Sequence, residues 1–223
     1  MYKKRFIPLF LMLVTGLFSA CQLLTPVPPL PVSTPTIKTN SGETLFFDDF
    51  SNKATGWDRF TAAEGTMDYD GGGYRILVNA LQTNFWSTPG KNFGDVRLEV
   101  DVAKWSGPDE NRFGLLCRFI ENNYYFFLLS SDGYYTIGKY LGGNAFLLGQ
   151  TEMQPSDSIH QGLAVNHLRA DCVGDTLTLY VNGVQVAEAK DPDLAQGDVG
   201  LLAGTFAQPG VDILFDNFVV IQP

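Results

Sequence analysis

Twenty-eight residues in the middle of the chain, Phe113 to Tyr140, restrict the fold more than any other stretch. Nine of them are rings (Phe113, Phe119, Tyr124, Tyr125, Phe126, Phe127, Tyr134, Tyr135 and Tyr140), more than a quarter of the positions against 13% for the whole chain. On an extended backbone, Phe113, Leu115, Cys117 and Phe119 fall on one side and Leu116 and Ile120 on the other. Strands that are covered on both faces read this way. Asn122-Asn123 and Asp132-Gly133 interrupt the run, and Asp-Gly is a hairpin signal because both residues tolerate positive φ. The pattern predicts a three-stranded antiparallel meander in a β-sandwich. With Asp132-Gly133 as a two-residue loop, Leu128 faces Ile137 and Phe127 faces Gly138, so that a ring covers bare backbone.

The flanking sequence continues in the same style. Val96–Lys104 alternates cleanly, with Val96, Leu98, Val100 and Val102 inward and Arg97, Glu99 and Asp101 outward. Further strands are expected at Leu45–Phe50, from Gly56-Trp57, at Thr66–Tyr69, Tyr74–Val78, Phe85-Trp86, Ala145–Gln150, Asn166–Val173, Thr176–Val181, Val184–Lys190, Val199–Phe206 and Val211–Ile221. Gly and Asn-Gly turns separate many of them, and Gln154–Gln161 reads as a polar loop. No segment carries a helical period. The expected fold is all-β, an antiparallel sandwich or jelly roll, formed as one domain over residues 45–221.

What precedes that domain reads as an address and a tether. Lys3, Lys4 and Arg5, an apolar run from Phe6 to Phe18 and small residues at Ser19-Ala20 make a secretory signal over residues 1–20. Leu17-Phe18-Ser19-Ala20-Cys21 resembles the lipobox of bacterial lipoproteins, which implies lipidation at Cys21 and an outward-facing anchor in the cell envelope. Residues 21–44 contain Pro26, Pro28, Pro29, Pro31 and Pro35 among Ser, Thr and Val, a composition that builds no core and favours an extended linker. Removing residues 1–20 takes away three basic and no acidic residues, so the net charge moves from −9 to −12. That sign opposes nucleic-acid binding. With Cys21 acylated, Cys117 and Cys172 remain as an even pair in an oxidising compartment, and a disulfide between them is expected.

Four segments carry a family resemblance. His167-Leu168-Arg169-Ala170, Gly174-Asp175-Thr176-Leu177-Thr178-Leu179-Tyr180-Val181-Asn182-Gly183, Asp198-Val199-Gly200-Leu201 and the closing Phe215-Asp216-Asn217-Phe218 resemble late strands of laminin-G-like and concanavalin A-like domains. The chain is also similar to bacterial 3-keto-disaccharide hydrolase-like domains. The resemblance implies the jelly-roll fold, but that fold carries lectins, glycanases and adhesion modules alike.

Candidate sites follow from residue chemistry. Glu99-Val100-Asp101-Val102-Ala103-Lys104 is close to the E-x-D-x-x-E strand of β-glucanases, yet Lys104 stands where the second glutamate belongs and cannot act as the acid. Glu99 and Asp101 then read as a solvated strand face. His160 and His167 are the only histidines, and neither H-E-x-x-H nor G-x-S-x-G occurs, so no catalytic residue is assigned. Asp48-Asp49 and Asp216-Asn217 sit in matching contexts on terminal strands. They are candidate ligands of a structural Ca²⁺, or else strand-end groups bonded to backbone or Arg. Sugars are held by rings against their apolar faces with polar groups beside them. Tyr124, Tyr125, Tyr134, Tyr135, Tyr140, Trp86, Trp105 and Arg118 are the candidate lining of a concave sheet. Three functions stay open: a non-catalytic carbohydrate-binding or adhesion domain, a 3-keto-glycoside hydrolase, and a structural or protein-interaction domain with an envelope partner.

Overall fold

A computed structural model describes residues 41–223; the signal segment, Cys21 and most of the proline-rich stretch lie outside the described residues. Sixteen strands account for the regular structure, and there is no helix among the described residues. In order they are β1 (Thr44–Asp48), β2 (Phe60–Ala62), β3 (Gly65–Asp70), β4 (Gly73–Val78), β5 (Asn84–Ser87), β6 (Val96–Ser106), β7 (Asn111–Ile120) and β8 (Asn123–Leu129). They continue with β9 (Tyr134–Leu141), β10 (Asn144–Leu147), β11 (Gln154–Pro155), β12 (Val165–Val173), β13 (Thr176–Val181), β14 (Val184–Lys190), β15 (Asp198–Thr205) and β16 (Val211–Ile221). All pairings are antiparallel. One sheet has nine strands in the order β14-β13-β12-β6-β16-β4-β3-β2, with β1 beside β16. The other has seven, β10-β9-β8-β7-β15-β5, with β11 beside β9.

The alternation in Val96–Lys104 is realised in β6. Val96, Leu98, Val100 and Val102 are buried and Arg97, Glu99 and Asp101 are turned outward. Inner faces of both sheets supply one core, which includes Ile76, Leu98, Phe113, Leu115, Tyr125, Phe127, Leu168, Leu179, Leu201 and Phe215. The Cys117–Cys172 bridge crosses it from β7 in one sheet to β12 in the other, with both residues fully buried. Closing a 55-residue separation stabilises the fold by about 4 kcal/mol in the chain-entropy model.

Four expectations need correction. Gly56-Trp57 opens no strand; Trp57 lies in a connection, and its indole enters the core, held there by Asp48. The loop after β10 is not wholly free of pairing, because Gln154-Pro155 pairs with Tyr134-Tyr135. The hairpin between β8 and β9 is also one residue out of the expected register. Ser130 N–H donates to the Tyr134 carbonyl at 2.8 Å, so the loop has three residues, and Gly133, at φ +98°, takes its left-handed position. Phe127 therefore faces Ile137, and Phe126, not Phe127, faces Gly138.

That single-residue shift decides which β9 rings go inward: Tyr135 packs on the main core and Tyr140 joins the outer cluster. Phe119 is affected as well. A bulge between Cys117 and Ile120, with Arg118 at φ +55°, turns it away from the side it would share with Cys117 by simple alternation.

Candidate binding site

The outer face of the seven-stranded sheet is where side chains that a sandwich does not need for its core collect. Register places Trp86, Leu202, Gly114, Leu128 and Thr136 in one row across β5, β15, β7, β8 and β9. Beside it runs a second row of Gly200, Leu116, Phe126, Gly138 and Leu147. Tyr124, Tyr140 and Ala145 flank the rows on one side, and Asn84, Gly204 and Arg112 on the other. Glycines at 114, 138, 200 and 204 leave strips of bare backbone among large groups. At Gly138 the ring of Phe126 occupies the place a Cβ would take, so this aromatic lies flat across the sheet.

A small second hydrophobic cluster results, separate from the main core. Leu116, Tyr124, Phe126, Leu128 and Leu202 are its buried floor, with Trp86, Phe119, Tyr140 and Leu147 half-covered around it. Tyr124 is sandwiched between Phe119 (centroids 5.6 Å apart, planes at 19°) and Tyr140 (5.4 Å, 15°), and Trp86 tilts against it at 6.2 Å. Burial, then the neighbouring Tyr140, push the Tyr124 phenol up to about 12, so it stays a neutral hydrogen-bond donor under all ordinary conditions. A cavity of 260 Å³ opens above this floor, with Arg112, Asn84, Tyr140, Ala145, Met153 and Phe206 around it. Such a cavity, apolar with a few polar groups on its wall, accommodates one sugar-sized ring.

No family model matches the sequence, and no curated protein matches it. Solved structures do resemble it. Carbohydrate-binding module CBM66 from Bacillus subtilis aligns with a TM-score of 0.60 at 19% identity, covering 75% of this chain and 96% of that one. A Bacillus subtilis protein of unknown function described as having a galectin-like fold aligns at 0.59 and 13%, covering 82% and 97%. The fold is an antiparallel β-sandwich of the jelly-roll kind. A Bacillus licheniformis β-glucanase shares it at 0.58 and 11% identity, covering 83% of this chain and 100% of that one.

The jelly roll distributes the sequence-derived candidates unevenly. Tyr124 and Tyr140 line the cavity, and Trp86 packs against Tyr124 from outside it, lining a separate depression with Phe60, Met67 and Phe85. Tyr134 lies on the same face at the hairpin end, beside a second depression that shares Met153 and Phe206 with the cavity. Tyr125 and Tyr135 point the other way. Tyr125 is fully buried, with Oη donating to Asp191 Oδ1 at 2.7 Å, and Tyr135 packs on the main core. Trp105 belongs to the nine-stranded sheet, 46% exposed, with the Arg75 guanidinium over its ring. Arg118 is 2% exposed and ties the bulge to the Leu194 carbonyl (2.6 Å) and to Asp95 (3.1 Å), so it offers nothing to a ligand on the sheet face. Arg112, Asn84 and Phe206 were not among the sequence candidates. Neighbouring strands in space but distant in sequence bring them together, and no local motif marks them.

The four candidate calcium ligands do not form a donor set. Terminal strands β1 and β16 do pair, with Asp48 opposite Phe218. Asp48, however, is 3% exposed and already accepts from Trp57 Nε1 (2.8 Å) and Phe50 N–H (2.7 Å). Asp49 caps its own turn at Ser51, Asp216 takes the Asn217 N–H, and Asn217 donates to Asp101 at 3.0 Å. Among the described residues no group of three acidic, His or Cys side chains is arranged to hold a metal. Glu99 and Asp101 are on the outer face of the nine-stranded sheet, where His167 Nδ1 donates to Asp101 at 2.8 Å. Lys104 is buried, donates to the Gly107 carbonyl and pairs with Asp109.

Proposed function

We propose that the protein is a carbohydrate-binding module, anchored to the bacterial envelope through Cys21, that holds a sugar in the trough on its seven-stranded sheet. One observation carries this reading: a cavity of sugar size whose floor is Tyr124, Phe126, Leu128 and Leu202 and whose wall carries the donors of Tyr140, Arg112 and Asn84. Stacked rings meet the apolar face of a pyranose while the wall groups meet its hydroxyls. Carbohydrate-binding and glycan-active proteins among the structural neighbours support it. No carboxylate lines the cavity itself, which favours binding over hydrolysis there.

The test is a glycan array followed by titration calorimetry. Tyr140→Ala removes a half-exposed wall and is expected to weaken binding about tenfold, consistent with an aromatic contact of about 1.4 kcal/mol, with little change in stability. Unchanged affinity contradicts the site. Anchoring has its own readout: the wild-type chain partitions with detergent after export and Cys21→Ser does not.

A second reading, glycoside cleavage of the keto-glycoside type, is favoured by the neighbouring depression. Glu110, Asp132 and Glu152 line it, and Asp132 Oδ1 is buried with no hydrogen-bond partner among the described residues. Sugar release that Asp132→Asn abolishes supports that reading.

A further inference from the structure

The described residues contain six arginines. Five of them, Arg59, Arg75, Arg97, Arg118 and Arg169, lie within salt-bridge distance of a carboxylate. Arg112 does not, and it is the arginine at the cavity. Its Nε donates to Asn84 Oδ1, its guanidinium lies 4.5 Å over the Phe206 ring, and its two terminal amino groups have no hydrogen-bond partner among the described residues. Gly204 permits this pose, because a Cβ there would collide with Asn84 Oδ1 and stand 2.9 Å from Arg112 Nε. The plane of the fork is thus fixed from both sides while its donating edge stays free. Burial pushes the guanidinium below its ordinary value, so holding the charge at the cavity carries a desolvation cost that no carboxylate among the described residues offsets.

From this geometry we infer that the ligand is an acidic sugar, its carboxylate bound bidentately by Arg112 while its ring rests against Tyr140 and the floor at Tyr124. A planar fork with two free amino groups matches a carboxylate, and the cation–π contact with Phe206 keeps it in place. Glu110, Asp132 and Glu152 in the next depression repel an anion, which sets the direction in which an acidic chain lies. The inference rests on the carbohydrate-binding reading above and goes beyond it by naming the chemical class.

The experiment titrates the intact exported protein with matched pairs at low and moderate salt: oligogalacturonate against neutral galactose oligomers, sialyllactose against lactose, and galactose sulfate as a separate arm. The expected result is at least tenfold tighter binding of a carboxylated probe than of its neutral partner, weakening as salt rises. Arg112→Gln erases that preference. Arg112→Lys, which keeps the charge and loses the fork, recovers only part of it; melting temperatures check that both variants fold. A preference for the sulfate arm overturns the assignment to a carboxylate. Equal binding of neutral and acidic probes, independent of salt, overturns the inference while leaving the carbohydrate site standing, provided Tyr140→Ala weakens both. Loss of all binding in every arm removes both.

Discussion

Tyr125 and Asp191 show how one residue's role depends on which way it points. Tyr124 and Tyr125 are chemically alike neighbours on β8, yet one forms the floor of the cavity and the other anchors a connection in the core. Tyr125 Oη donates to Asp191 and accepts the Leu194 N–H at 3.0 Å, and Lys139 Nζ donates to the same carboxylate at 2.5 Å. Burial alone raises the Asp191 carboxyl, but the hydrogen bonds from Lys139 and Tyr125 outweigh it and hold the group below its ordinary value. A carboxyl depressed in the folded state contributes stability that is fully present above the unfolded value near 4 and is lost as pH falls through the folded value. Asp191→Asn should therefore lower stability at pH 7 by about 1.5–3 kcal/mol and flatten the decline below about pH 4. Urea denaturation across that range checks both outcomes. From the sequence, the aromatic surplus was legible but the facing of each ring was not, because two adjacent tyrosines always point opposite ways and only the register says which.

At the scale of elements, the hairpin and the bulge decide that register. A two-residue Asp-Gly loop and a three-residue Ser-Asp-Gly loop look alike in sequence, since both need glycine where φ is positive. The structure adopts the longer loop, which puts Tyr135 and Ile137 on the core side with Tyr125, Phe127 and Leu129, and leaves Gly138 and Tyr140 on the outer side with Tyr124, Phe126 and Leu128. The bulge at Arg118 has no local signature at all; its cause is tertiary, a guanidinium drawn to the Leu194 carbonyl and Asp95. Gly138 reports on the outcome. An added methyl there meets both the Phe126 ring and the Phe146 carbonyl, so Gly138→Ala should destabilise the protein by about 1–3 kcal/mol and disturb the cavity floor. Chemical denaturation together with ligand titration measures the two effects separately. Had the ring been Phe127, as the shorter loop requires, the same substitution would strain the core instead.

The whole molecule presents two unlike faces. On the nine-stranded sheet the exposed charges answer one another: Arg97 and Arg169 meet Asp171, Arg75 meets Asp212, and His167 meets Asp101. On the seven-stranded sheet the outer surface is apolar, partly open, and holds an arginine with no carboxylate. The sandwich and most strand limits were legible because alternation and turn residues are local signals; Thr176–Val181, Val184–Lys190 and Val211–Ile221 end where the sequence says they should. Which face binds was not legible, since Arg112, Asn84 and Phe206 meet only after β5, β7 and β15 pair. The most direct test of that assignment is to map chemical-shift changes on the isotopically labelled protein as a binding glycan is added. Shifts centred on Trp86, Arg112, Tyr140 and Phe206 are the expected result; shifts centred on Trp105, Arg169 and Tyr180 of the other sheet would contradict it.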